Sequence, residues 1–106
     1  EEKSLQDAFS LIQTAKYINP DDPWINFTLG KIYAKKKAYY NALLNYKNAL
    51  NLLPHNPGIR YYQALIHREQ GNEKLAMQNL KMAVNSKRSF SQAQNASRLI
   101  SELEKD

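Results

Sequence analysis

A pattern of small residues and prolines repeats along this chain with a period of 34 residues. The tetrads at 20–23 and 54–57 both have the form Pro-x-x-Pro. Alanines precede each first proline at the same two spacings, and they return one period later without the proline. The matching positions are Ala8, Ile12 and Ala15, then Ala42, Tyr46 and Ala49, then Ala76, Leu80 and Ala83. Three copies in register predict a repeat architecture in which each unit packs on its neighbours.

Each unit divides into two stretches in which apolar residues follow helical spacing. A polar break at 35–37 separates the stretches of the unit 23–56, and the break of the unit 57–90 lies at Gly71. No segment shows the alternation of apolar and polar residues that is typical of a half-buried strand. The sequence therefore predicts six helices: residues 3–18, two helical hairpins, and a final helix over about 92–103.

Local signals mark where the helices begin. Asp22-Pro23 and Asn56-Pro57 each read as an N-cap followed by proline at the first helical position, where the missing N–H costs nothing. Ser91-x-x-Gln94 has the form of a capping box. These signals predict helices that begin at 23, at 57 and near 92.

Other signals mark helix ends and close packing. Pro20 and Pro54 are predicted to end the preceding helices, because proline disfavours the α conformation in the residue before it. Gly71 suits a left-handed residue after a helix. Gly30 and Ala42 are predicted where two antiparallel helices cross closely, since glycine inside a helix costs about 1 kcal/mol relative to alanine.

Composition argues against enzyme chemistry. The chain has 106 residues, enough for one small domain, and lacks cysteine, which excludes disulfides and thiolate metal sites. His55 and His67 have neither a second ligand at metal spacing nor a Gly-rich phosphate loop beside them. Asp21 and Asp22 are interpreted as cap and dipole partners. We predict no catalytic residue, no cofactor and no metal, and interpret His67 as a packing residue.

The unit 23–56 resembles a tetratricopeptide repeat. The residues that carry the resemblance are Leu29-Gly30, Tyr33, Ala42, Tyr46, Ala49 and Pro54. The unit 57–90 departs from the family pattern, with Gln63-Ala64, His67 and Arg88 at the matching positions. The resemblance implies an all-α, right-handed superhelical solenoid of antiparallel helix-turn-helix units within one domain. Residues 1–22 would be the second helix of a truncated repeat, 23–56 and 57–90 full repeats, and 91–106 a capping helix.

At finer grain the chain resembles the C-terminal part of bacterial tetratricopeptide proteins, some of which are envelope lipoproteins linked to exopolysaccharide or protein-sorting loci. The segments that carry this are 56–62 and the closing Leu99-Ile100-x-x-Leu103. The resemblance implies the bacterial cell envelope or periplasm, with the cytoplasm left open. Because the first helix lacks its hairpin partner, we expect the native protein to continue N-terminally, or the bare helix to pair with another copy.

In this family the first helix of each hairpin lines a concave groove, so the resemblance implies a scaffold that binds a peptide or helix of another protein. The groove residues expected here are Trp24, Phe27, Lys31, Lys35, Tyr61, Leu65, Arg68, Glu69, Asn95 and Leu99. The alternative is that Trp24 and Phe27 pack on the preceding helix, near Leu11 and Ala15. Some members clamp a C-terminal carboxylate with a Lys/Asn/Arg set, which is not present here. The corresponding residues are Phe27, Lys31, Tyr62, Gln92 and Ala96.

Charge leaves a second function open. The net charge is +5, and Lys31 with the run 35–37 precedes Tyr39-Tyr40. Stacking aromatics beside a basic groove bind single-stranded nucleic acid, although lysines at a helix end are also typical of a solvated face. Protein binding is the favoured hypothesis, with nucleic-acid binding or self-association as alternatives. No small-molecule substrate and no membrane insertion are expected.

Overall fold

The computed structural model describes residues 2–105, and their side chains from Ser4 onward. These residues form six helices and no strand, which confirms the all-α prediction. The helices are α1 (Glu2–Ile18), α2 (Pro23–Lys35), α3 (Tyr39–Leu52), α4 (Pro57–Glu69), α5 (Glu73–Val84) and α6 (Ala93–Glu104). The described residues divide after Pro54 into two compact units, called here unit 1 and unit 2.

Unit 1 is a three-helix layer in which α2 packs against both α1 and α3. The contact of α1 with α2 includes an edge-on pair of rings, Phe9 and Tyr33, with centroids 5.4 Å apart. The contact of α2 with α3 is built on Tyr46, which is fully buried. Helix α2 therefore carries two packed faces, which leaves one stripe of its surface for other contacts.

Unit 2 packs α5 against both α4 and α6. Its core is one cluster of buried side chains: Tyr61, Ala64, Leu80, Ala96 and Leu99. Partly buried residues close over this cluster, among them Phe90 from the segment that precedes α6. The outer face of α6 is polar, with Arg98 paired to Glu102 at 3.1 Å.

The first residues of α2 and α4 are held as the sequence predicts. The Asp22 carboxylate accepts hydrogen bonds from the backbone N–H groups of Trp24 and Ile25, at 2.8 and 3.2 Å. The Asn56 side chain accepts from the N–H of Ile59 at 3.0 Å. Proline follows each cap at the first helical position.

The start of α6 differs from the prediction. The N-cap is Gln92 rather than Ser91, and its side chain makes no capping hydrogen bond. The amide of Gln92 instead donates to the hydroxyl of Tyr62 at 3.3 Å. The capping-box prediction for Ser91 and Gln94 was wrong, because a tertiary contact to α4 holds this end of the helix.

The two hairpins turn in the same way. Lys37 and Gly71 both have positive φ, 62° and 79°. The N–H of Ala38 donates to the Tyr33 carbonyl at 2.9 Å, and that of Asn72 donates to the His67 carbonyl at 2.8 Å. The N–H of the left-handed residue itself donates to the carbonyl three residues before it, at 3.0 Å in both turns. The two hydrogen bonds together make a Schellman motif at each turn. The left-handed role predicted for Gly71 is confirmed, and Lys37 takes it in the first hairpin at a steric cost that glycine avoids.

Grafting the second turn onto the first is expected to stabilise unit 1. Asn72 caps α5 through the N–H of Leu75, whereas Ala38, with nearly the same backbone angles, provides no side-chain cap to α3. Replacing Lys37→Gly removes the left-handed strain, and Ala38→Asn adds a cap, each worth about 1 kcal/mol. Thermal unfolding followed by Trp24 fluorescence should shift upward for each variant. The reciprocal Gly71→Ala should destabilise the fold, and a rise in its melting temperature would contradict the assignment.

Candidate functional site

Four side chains lie along one face of α2 and are called here the α2 stripe: Trp24, Phe27, Lys31 and Lys35. Trp24 is 54% exposed, and its ring lies 6.5 Å from that of Phe27. The Lys31 ammonium lies 4.6 Å from the centroid of the Phe27 ring, a cation–π geometry. Lys35 is exposed one turn further along. The stripe thus presents one accessible aromatic surface followed by two cations.

Phe27 forms the floor of the α2 stripe rather than a free anchor. It is half-buried, and its ring lies 5.9 Å from that of Tyr46 in α3. Trp24 lies against Phe27. The sequence allowed two interpretations, in which both rings face the groove or both pack on the preceding helix, and neither interpretation describes both rings. Trp24 is open to solvent, whereas Phe27 supports it and contacts the core.

In unit 2 the structure buries two residues that the sequence predicts in the groove. Tyr61 is 6% exposed and Leu99 is 4% exposed, both inside the core cluster. The Tyr61 ring meets that of Tyr62 edge-on at 5.4 Å and lies 6.5 Å from that of Phe90. A ligand could reach these side chains only by displacing the core. Phe90, from the segment before α6, packs against the cluster that holds both side chains, and their contact with a ligand stays a prediction.

The other predicted residues of unit 2 lie nearer to solvent. Leu65 is half-buried and packs against the core cluster, while Arg68 and Glu69 are exposed at the end of α4. Asn95 is exposed on α6 and accepts a hydrogen bond from Arg98 at 3.4 Å. Within unit 2, the accessible parts of the predicted site are therefore the exposed end of α4 and Asn95 on α6.

The opposite face of α2 lines a cleft that sequence reasoning missed, called here the α1–α3 cleft. Its volume is about 400 Å³, and it lies between residues of α1, α2 and α3. The lining residues are Gln13, Lys16, Tyr17, Leu29, Tyr33, Asn41, Leu44 and Asn45. Among these residues Asn45 is buried, at 5% exposed. The sequence signal for this cleft was Lys16, because this lysine occupies the position at which the next repeat has Leu50.

The lysine run at the end of α2 is not a uniform basic patch. The Lys36 ammonium lies 4.3 Å from the centroid of the Phe9 ring and donates to the Gln6 side chain at 3.1 Å. Lys37 occupies the left-handed turn. Two of the three lysines therefore have structural roles in unit 1, which leaves Lys35 as the cation that continues the α2 stripe.

His67 should make the stability of unit 2 depend on pH. It is half-buried on α4, and its Nδ1 is buried without a hydrogen-bond partner. Burial lowers the pKa of His67 below its ordinary value of 6.5. The unfolded chain then binds more protons than the folded one between the two pKa values. Stability is therefore full above pH 6.5 and falls as the pH drops toward the folded pKa.

Urea unfolding between pH 7.5 and 5.5 tests this expectation. The His67→Gln variant should lose the decline toward acid. The matched control is His55→Gln, because His55 is exposed in the turn before α4. A decline that survives His67→Gln and disappears in His55→Gln would contradict the assignment.

Among the residues that the structure describes, no group of three or more histidine or acidic side chains could hold a metal ion. None of the described helices is long and apolar enough to cross a membrane.

Sequence comparison finds neither a matching family model nor a matching curated protein. Solved structures are similar in fold. The type III secretion translocator chaperone SycD of Yersinia enterocolitica matches with a TM-score of 0.81 and 18% identity, over 99% of this chain and 79% of that chain. A chain of the CopN-Scc3 complex matches with a TM-score of 0.72 and 19% identity, over 98% of this chain and 59% of that one. At these identities the likeness establishes a shared all-helical fold.

Proposed function

We propose that this chain is a non-catalytic interaction scaffold of the tetratricopeptide repeat type, which binds a peptide or helix of a partner protein through its concave groove. The observation that carries the proposal is the α2 stripe. It offers an exposed tryptophan on a fixed aromatic support, with cations along the same helix face. Tryptophan is among the residues that carry most of the binding energy at protein interfaces.

The α2 stripe is suited to a partner segment that joins an apolar residue to an acidic one. Trp24 would cover the apolar side chain, and Lys31 and Lys35 would orient the acidic group. Because Phe27 is held against Tyr46, the aromatic support costs little entropy to order on binding. A single module of this size is expected to bind with a dissociation constant of about 1 μM, or about −8 kcal/mol.

The similar structures support protein partners. SycD is described as a translocator chaperone, and the second match belongs to a complex of two proteins. The repeat pattern supports the family. The two helical hairpins α2–α3 and α4–α5 follow the 34-residue period, with matching caps and Schellman turns.

Site-specific photo-crosslinking tests the proposal. A benzophenone side chain placed at Trp24 should crosslink a protein from the source lysate. The matched control places it at Tyr40, an exposed aromatic on α3 outside the stripe. A parallel pull-down compares Trp24→Ala/Lys35→Ala with Tyr40→Ala/Lys47→Ala. Loss of the partner only in the first variant supports the α2 stripe, and equal recovery from both contradicts it.

Self-association is the second candidate, and a difference between equivalent positions favours it. Ala42 and Ala76 are fully buried, whereas Ala8, at the same place in α1, is exposed. Leu11 is 73% exposed, although its equivalent Asn45 is buried. The face of α1 that carries them is shaped to pack on another helix, and a second copy of the chain would supply one.

Light scattering at increasing concentration distinguishes this candidate. The wild-type chain would form a dimer, and Leu11→Lys would keep it monomeric. The control is Leu52→Lys, which changes an exposed leucine at the end of α3. A monomer at every concentration counts against self-association.

Nucleic-acid binding has less support, because Lys36 and Lys37 are used within unit 1. Nuclease-sensitive nucleic acid in the eluate of the pull-down would support nucleic-acid binding.

A further inference from the structure

The α1–α3 cleft has the size and lining of a binding site. Its volume of about 400 Å³ falls within the range of ligand pockets. Leu29 and Tyr33 come from the face of α2 opposite the α2 stripe, so the cleft is separate from the surface in the proposed function. Leu44 and Tyr17 form exposed apolar and aromatic walls. The cleft can therefore hold an apolar group next to a polar one.

Lys16 is the only charged residue in the lining, and a buried amide positions it. The Lys16 Nζ donates to the Oδ1 of Asn45 at 3.0 Å. The Nδ2 of Asn45 in turn donates to the backbone carbonyl of Asn41 at 2.8 Å. Asn45 is fixed at both ends, and its oxygen holds the ammonium toward the cleft. An ammonium has three N–H donors, so two remain for a ligand.

Within the part of the chain that the structure describes, no carboxylate pairs with Lys16. The ion pairs of Lys81 with Glu104 and of Arg98 with Glu102 both lie in unit 2. The cleft therefore presents positive charge that an incoming carboxylate would complement.

The repeat indicates that the fold does not require this lysine. Leu50 and Val84 hold the position of Lys16 in α3 and α5. Asn79, at the position of Asn45, is buried without a lysine beside it in sequence register. The pairing of lysine and asparagine across two helices is thus particular to the α1–α3 cleft.

We propose that the α1–α3 cleft binds a carboxylate of a peptide segment from a partner protein, with Lys16 contacting the carboxylate and Asn45 positioning Lys16. The neighbouring apolar side chain of the segment packs on Leu44 and Tyr17, the exposed walls of the cleft. The carboxylate is that of an acidic side chain or of a C-terminus, since both present the same two oxygens. The site is independent of the α2 stripe and stands if that stripe binds nothing.

Two-dimensional NMR of the ¹⁵N-labelled chain tests the site with short peptides. The probes are acetyl-Leu-Asp-Leu-amide, its neutral isostere acetyl-Leu-Asn-Leu-amide, and acetyl-Leu-Leu with a free C-terminal carboxylate. At least one carboxylate probe should shift the amide signals of Lys16 and Asn45. The neutral peptide should bind about five- to tenfold more weakly, as expected on loss of one charge-assisted contact. Whichever carboxylate probe binds identifies the source.

Variants make the test specific. The Lys16→Leu variant carries the residue type that the next repeat has at this position, Leu50. It should weaken the binding of the carboxylate probe about five- to tenfold. Lys47→Leu, on the exposed side of α3, is the matched control and should change nothing. Equal binding of the charged and neutral peptides overturns the proposal, and so does binding that survives Lys16→Leu. The comparison of charged with neutral probes uses the unchanged protein, so a variant that misfolds does not remove the test. Trp24→Ala/Lys35→Ala should leave this binding intact.

Discussion

Replacing Gly30→Ala is expected to destabilise unit 1 by about 2–3 kcal/mol, although alanine is the better helix former by about 1 kcal/mol. A Cβ at Gly30 would lie 2.5 Å from Cε1 and 2.6 Å from Cδ1 of Tyr46, and 3.2 Å from the Ala42 carbonyl oxygen. The Tyr46 ring is fully buried and packed against Phe27, so it has no space to move away. The steric cost therefore exceeds the gain in helix propensity.

The measurement is thermal unfolding followed by the fluorescence of Trp24, the only tryptophan, which reports on unit 1. A loss of this size lowers the melting temperature by about 10–20 °C in a domain of this length. Thr28→Ala is the matched control, because Thr28 is exposed on the same helix and gains propensity without a clash. An unchanged melting temperature for Gly30→Ala would show that the helices do not cross this closely.

The second hairpin indicates how the clash can be relieved. Ala64 and Leu80 occupy the positions of Gly30 and Tyr46, and both are buried in the core of unit 2. A larger residue on the first helix is thus matched by a smaller one on the second. The double variant Gly30→Ala/Tyr46→Leu should be more stable than the sum of the single effects predicts, by about 1–3 kcal/mol. Strict additivity would contradict direct contact.

The helix boundaries could be predicted from sequence because the forces that set them are local. Asp22 and Asn56 cap their helices through N–H groups two or three residues away. Gly71 ends α4 through its own backbone conformation. The Gly30 crossing was also predictable, because a costly glycine inside a helix has a packing reason, and the structure supplies it at Tyr46.

Exposure of the candidate site was less predictable, because it depends on segments outside the repeat. The sequence gives Trp24 and Tyr61 similar roles on the first helices of the two hairpins. Phe90 and the irregular segment before α6 bury Tyr61, and nothing in the 34-residue pattern indicates their position. The hydrogen bond of Asn45 was also not predictable from the repeat pattern. The donor is Lys16 of another helix, so the spacing of Asn45 on α3 could not reveal the hydrogen bond.

Tyr61→Ala is expected to unfold unit 2, whereas Trp24→Ala should leave the fold largely intact. Truncating a buried aromatic side chain costs about 3–5 kcal/mol, a large part of the stability of a small domain. Trp24 is 54% exposed, so its removal should cost under about 1 kcal/mol. Helicity at 222 nm and calorimetry provide the measurements, since Trp24→Ala removes the fluorescent probe.

The contrast decides which aromatic residue can belong to a binding surface. If Tyr61→Ala lost helicity while Trp24→Ala kept it, only the tryptophan variant could report on ligand binding. Any loss of partner after Tyr61→Ala would then reflect unfolding. If Tyr61→Ala had the same melting temperature as the wild type, Tyr61 would not support the core. It would then again be a candidate for contact with a ligand in the groove. The core cluster predicts the first result, because Tyr61 packs among residues of α4, α5 and α6.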